Sequence, residues 1–74
     1  MVQKGGEQMR YRVKYTLKQW RRLRGLSQQA LAEAVGVNYT TIWRWETGDM
    51  PNAKYIPLLE QALDIKWSDD VLMP

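Results

Sequence analysis

The stretch SQQALAEAVGVNYTTIWRWE, Ser27–Glu46, decides the fold of this chain. Ser27 is a good helix N-cap, because its hydroxyl can accept a hydrogen bond from a free N–H of the first turn. Leu31, Ala32 and Val35 follow at helical spacing and form one apolar face. Gly36 stops that helix, and Val37 is an apolar residue inside the turn. Asn38 occupies the next cap position, and Ile42 and Trp45 mark the apolar face of a helix that runs to about Thr47. Gly48 ends it. The pattern predicts two short helices joined by a tight Gly-Val-Asn turn.

Upstream, Thr16 and Gln19 are spaced as a capping box that opens another helix. Leu17, Trp20 and Leu23 are read as its buried stripe, and Gly25 as its left-handed end. Downstream, a polar loop runs from Gly48 to about Tyr55. Pro57 fits the first turn of a fourth helix, where its missing N–H is harmless. Leu58, Leu59, Ala62 and Leu63 are expected to bury that helix. Ser68 is expected to cap a short last turn, with Asp69 and Asp70 favourably placed near its N-terminus. Val71, Leu72 and Met73 can cover the core or meet a partner chain. Residues 1–8 contain Gly5 and Gly6 but no apolar pattern beyond Val2, and are read as disordered. Residues 10–15 alternate basic and apolar side chains, a strand-like period with no partner strand, and are read as an extended arm. The fold class expected is all-α: a compact bundle of about five short helices over residues 16–74, preceded by a flexible basic arm over residues 1–15.

Composition narrows the function. A chain of 74 residues holds one domain and a marginal core. It has no Cys and no His, so neither disulfides nor an ordinary zinc site is expected. The lack of Cys suits a reducing cytosol, and a cytoplasmic location is expected. No apolar run approaches the length of a membrane span, and the N-terminus lacks a secretion-signal pattern. The net charge of +3 hides an asymmetry. Residues 1–25 carry eight basic and one acidic side chains, whereas residues 26–74 carry three basic and seven acidic. A basic end on an acidic body points to a polyanionic partner. No nucleophile–His pair, metal cluster or phosphate-binding Gly-rich loop supports an enzyme, so no catalytic residue, metal, cofactor or small-molecule substrate is expected.

The ordered set Arg21, Gly25-Leu26-Ser27-Gln28, Leu31-Ala32, Gly36-Val37, Ile42 and Glu46-Thr47-Gly48 resembles the helix-turn-helix family of phage Cro and repressor proteins (XRE type). Leu58–Leu63 and the Trp67-Ser68-Asp69 region continue the match, which covers roughly residues 16–72. The resemblance implies a lambda-repressor-like helix-turn-helix domain and a transcriptional regulator, Cro-like in size, that binds double-stranded DNA at an operator. Paired half-sites imply a homodimer on DNA, although monomeric binding in solution is compatible with the sequence. In such a domain the third helix lies in the major groove, which is about 12 Å wide and admits one α-helix.

The resemblance assigns base reading to Tyr39, Thr40 and Arg44. Their spacing agrees, because residues 40 and 44 share one side of a helix and residues 39 and 43 the adjacent side. Arg44 can make a bidentate contact to guanine O6 and N7, and Thr40 can hydrogen-bond or press its methyl on thymine. Trp43 admits two readings, packing against a loop or contact with DNA or a partner, and is kept among the base-reading candidates. Gln28, Asn38 and Thr47 match family positions that contact phosphate, Asn38 also being the expected cap of the third helix. Lys18 and Lys54 are candidates for phosphate contact. Arg21 and Glu46 fall on apolar faces and must pair, because an unpaired buried charge is expensive; the family carries an Arg–Glu ion pair there with a structural role. Asp49 departs from the family pattern, which commonly has a basic residue after the glycine, so a DNA contact there is expected to be weak or lost. The other function compatible with the sequence is a protein-interaction module, such as an antitoxin or anti-repressor partner, which the acidic C-terminal half and Trp43 favour.

Overall fold

The computed structural model describes residues 13–73. The expectations for residues 1–12 lie outside the described residues. Five α-helices follow in order: α1 (Leu17–Leu23), α2 (Gln28–Val35), α3 (Tyr39–Glu46), α4 (Ile56–Leu63) and α5 (Trp67–Asp70), with a 3-10 turn at Ala53–Tyr55 ahead of α4. The all-α architecture is the one expected. None of the described helices is long and apolar enough to cross a membrane.

Local chemistry sets the helix ends. The Thr16 hydroxyl accepts from the Gln19 N–H at 3.2 Å, and the Gln19 side chain accepts from the Thr16 N–H at 2.9 Å. That reciprocal box occupies two donors which a helix start otherwise leaves unpaired. The Ser27 hydroxyl accepts from the Ala30 N–H at 3.0 Å and does the same for α2. Gly36 turns the chain with φ at 84°, a value costly for side chains with a Cβ. The Gly36 and Val37 N–H groups both close on the Ala32 carbonyl, at 2.8 and 2.9 Å. With α2 closed so tightly, only Val37 and Asn38 separate Gly36 from the start of α3.

The core gathers Leu17 from α1, Leu31, Ala32 and Val35 from α2, Ile42 and Trp45 from α3, and Leu59 and Leu63 from α4. Trp20, Leu26, Val37, Tyr55, Ala62, Ile65 and Trp67 pack around its edge. Burial of these side chains is the main favourable term, since a fully buried Leu or Ile contributes about 1.5–3 kcal/mol.

Two links hold the N- and C-terminal segments together. Tyr15 and Val71 form an isolated parallel bridge, with Tyr15 N–H donating to Asp70 C=O at 3.1 Å and Leu72 N–H to Tyr15 C=O at 2.9 Å. The Trp20 indole N–H donates to the Asp70 carbonyl at 2.7 Å, while its ring meets Tyr15 edge-on. Tyr15, the last residue of the expected arm, is thus tied to the helical body. Arg24 supplies a further link: its guanidinium donates to the Leu63 and Asp64 carbonyls at 2.6 and 3.2 Å, and stacks over Trp20. It serves the end of α4, where carbonyls lack helical partners and a cation is favourable.

Four expectations are corrected. Leu23 is 58% exposed rather than buried. It lies six residues after Leu17, and at about 100° per residue that places it roughly 120° around the helix, while residues 21 and 24 return to the Leu17 side. Leu58 is exposed, because Leu59 and Leu63 carry the buried line of α4 and Leu58 sits about 100° off it. Asn38 occupies the N-cap position of α3, but its side chain makes no capping hydrogen bond. Ser68 is inside α5, whose N-cap is Lys66. The first donors of α5 are met by carboxylates instead: Lys66 N–H by Asp70 at 2.8 Å and Trp67 N–H by Glu60 at 2.8 Å.

Candidate nucleic-acid interface

Helix α3 divides its eight residues between two faces. Ile42 and Trp45 point into the core, and packing against α2 and α1 fixes the helix in place. On the other side Tyr39, Thr40, Trp43 and Arg44 are exposed. With side chains an α-helix such as α3 is about 10–12 Å across, which matches the roughly 12 Å width of a major groove. The four candidate base readers are therefore brought together on one outward face. Trp43 exposes 54% of its surface, so it is not packed beneath a loop.

Glu46 anchors the end of this rod. The Arg21 guanidinium donates Nε to Glu46 Oε2 at 2.6 Å and Nη2 to Oε1 at 3.3 Å, while Nη1 reaches the Leu26 carbonyl at 2.7 Å. The two side chains are only 9% and 2% exposed. The Gln28 amide adds a third donor, Nε2 to Glu46 Oε1 at 3.1 Å. A desolvated carboxylate is tolerable only with such a set of donors. The cluster joins α1, the start of α2 and the end of α3, and so sets the angle at which α3 projects. Gln28 thus holds the frame with one amide N–H and retains a second N–H and an oxygen.

The remaining candidates are more scattered. The N–H groups of Tyr39 and Thr40 start α3 with no side-chain cap, and Asn38 is exposed beside them. Thr47 is exposed but bonds back onto its own helix: its hydroxyl donates to the Trp43 and Arg44 carbonyls at 3.0 and 3.2 Å, and its N–H to the same two carbonyls. Both donors of Thr47 are engaged by carbonyls of α3 in this arrangement. Lys18 is exposed on α1, and the Lys54 ammonium lies 5.1 Å from the Tyr55 ring.

Two features of the face were not read from sequence. The Arg44 Nε donates to Asp49 Oδ2 at 3.2 Å, an exposed ion pair across the end of α3. Met50, directly after it, is exposed as well.

A helix with one side in the core and the other exposed, joined to its neighbours by a tight turn and a buried ion pair, is the architecture of a helix-turn-helix domain. The helix-turn-helix family model matches residues 17–69, and the chain belongs to that family, as a Cro/repressor-like domain of XRE type. The match supports a DNA-binding regulator of this type. No curated protein matches the chain.

Proposed function

We propose that the protein is a Cro-like repressor that occupies an operator by laying α3 in the major groove. The observation that carries the reading is the outward face of α3, four exposed side chains with hydrogen-bonding or apolar groups on a helix whose other side is locked in the core. Arg44 reads a guanine through O6 and N7. Thr40 and Tyr39 contact neighbouring bases, and Trp43 lies against thymine methyls or sugars. Gln28, Asn38 and the free N–H groups at the start of α3 contact phosphate, as helix N-termini do. Lys18 and Lys54 add to the salt dependence of binding. Thr47 closes the helix and is left out of the contact set. Two copies bind paired half-sites about one helical turn apart.

The test is selection of bound duplexes from a random pool, repeated with Arg44→Ala. The wild type should enrich a defined sequence containing a guanine. The variant should lose preference at one base pair and keep non-specific binding. If every sequence weakens equally, Arg44 contacts only the backbone. If the wild type enriches no sequence, a protein-interaction role, which the exposed Trp43 also suits, replaces this reading.

A further inference from the structure

We propose that Asp49 is a specificity-determining residue: it holds the Arg44 guanidinium in an orientation suited to guanine and weakens its attraction to phosphate. The proposal rests on the reading of Arg44 as a base-reading residue.

Both the main chain and the side chain of residue 49 are bound to residue 44. The Asp49 N–H donates to the Arg44 carbonyl at 2.9 Å, closing the end of α3. Gly48, with φ at 137°, makes that reversal possible. The closure delivers the Asp49 carboxylate to Arg44 Nε at 3.2 Å. A guanidinium has five N–H donors in a planar fork. With Nε engaged, the two terminal nitrogens remain for an end-on, bidentate approach to O6 and N7 of guanine.

Stability does not account for this pair. The side chains are 66% and 61% exposed, and ion pairs that open to solvent add little to folding. Its effect on DNA binding is different. Arg44 is the single basic residue of α3. Unaccompanied, such a cation binds any phosphate within reach, which raises affinity for all sequences. A carboxylate at hydrogen-bond distance offsets much of that attraction. Two directed hydrogen bonds to a guanine edge depend on geometry, and the carboxylate preserves that geometry. The acidic residue therefore lowers general affinity while retaining discrimination.

The experiment compares wild type, Asp49→Asn, Asp49→Glu and Arg44→Ala. Each is titrated with the duplex selected by the wild type and with a scrambled duplex, at two salt concentrations, and thermal unfolding is recorded alongside. Asn retains the backbone closure and removes the charge. D49N should unfold at the wild-type temperature and bind the scrambled duplex roughly two- to fivefold tighter, the range open to one exposed ion pair. Its ratio of selected to scrambled affinity should fall by at least the same factor, and D49E should restore much of that ratio. Equal tightening on both duplexes, or no change on either, overturns the role of Asp49. The Arg44→Ala arm separates the two claims. If R44A loses the guanine preference while D49N keeps the full ratio, only the role of Asp49 fails. If R44A keeps the guanine preference, the reading of Arg44 fails and the role of Asp49 falls with it.

Discussion

Helix α3 carries the two arginine–carboxylate pairs Arg21–Glu46 and Arg44–Asp49, which share their chemistry and differ in environment. The first joins distant parts of the chain at 2.6 Å with both side chains nearly dry. The second spans the helix end at 3.2 Å with both side chains mostly in water. A buried pair cannot lose one member without stranding a charge, so it serves as a fixed joint. An exposed pair adds little to folding, so it can orient a side chain toward an arriving ligand without being part of the joint that holds the fold. One side of α3 therefore sets its angle, and the other remains available for recognition.

The largest effect that separates the two pairs is Glu46→Ala. It leaves Arg21 and Gln28 facing a cavity without an acceptor, and should cost about 3–5 kcal/mol, a fall in Tm of more than about 12 °C by calorimetry. Replacing Arg21 and Glu46 together by Met and Leu should be much milder, because no charge is then stranded. Next comes Arg44→Ala, which should leave Tm nearly unchanged and lower discrimination at one base pair by about 1–3 kcal/mol in competition binding. Trp43→Ala should weaken binding to the selected duplex several-fold with no loss of stability, since its ring is half in solvent; a large drop in Tm would place that ring in the fold instead. The smallest effect is that of Asp49→Asn on folding, within about 0.5 kcal/mol by chemical denaturation. A larger loss would erase the contrast between the pairs.

The segment Ser27–Glu46 was legible in the sequence because its signals are local. A cap residue, an apolar stripe at helical spacing and a glycine at the reversal all act within a few residues. Leu23 and Leu58 fall outside the buried stripes for a geometric reason. Both are apolar and near the right spacing, but a short helix with polar neighbours leaves the edge of its buried stripe undefined until its packing partners are known. The tie from Arg24 to the Leu63 and Asp64 carbonyls was invisible, since its acceptors are backbone groups about 40 residues away. The Tyr15–Val71 bridge involves a single residue pair, too little for any periodic pattern to signal. Asn38 shows that a residue type favoured at a cap position can occupy it without making the capping bond.

At the interface, the outward set of α3 follows from about 100° per residue with Ile42 and Trp45 on the core side. The partner of Arg44 did not follow, because Asp49 lies beyond the helix end, where helical spacing no longer applies. Gly48 signals that the chain reverses there, yet only the observed hydrogen bond from Asp49 N–H shows which side chain the reversal brings back.

The most direct test of the central claim is an amide and side-chain chemical-shift map, recorded while the selected duplex is titrated into isotope-labelled protein. The shifts should concentrate on residues 38–44, the indole N–H of Trp43 and the guanidinium of Arg44, with the exposed side of α4 around Leu58 unaffected. Shifts centred on α4 or α5, with the α3 face silent, would contradict the assignment of α3 as the helix that reads DNA.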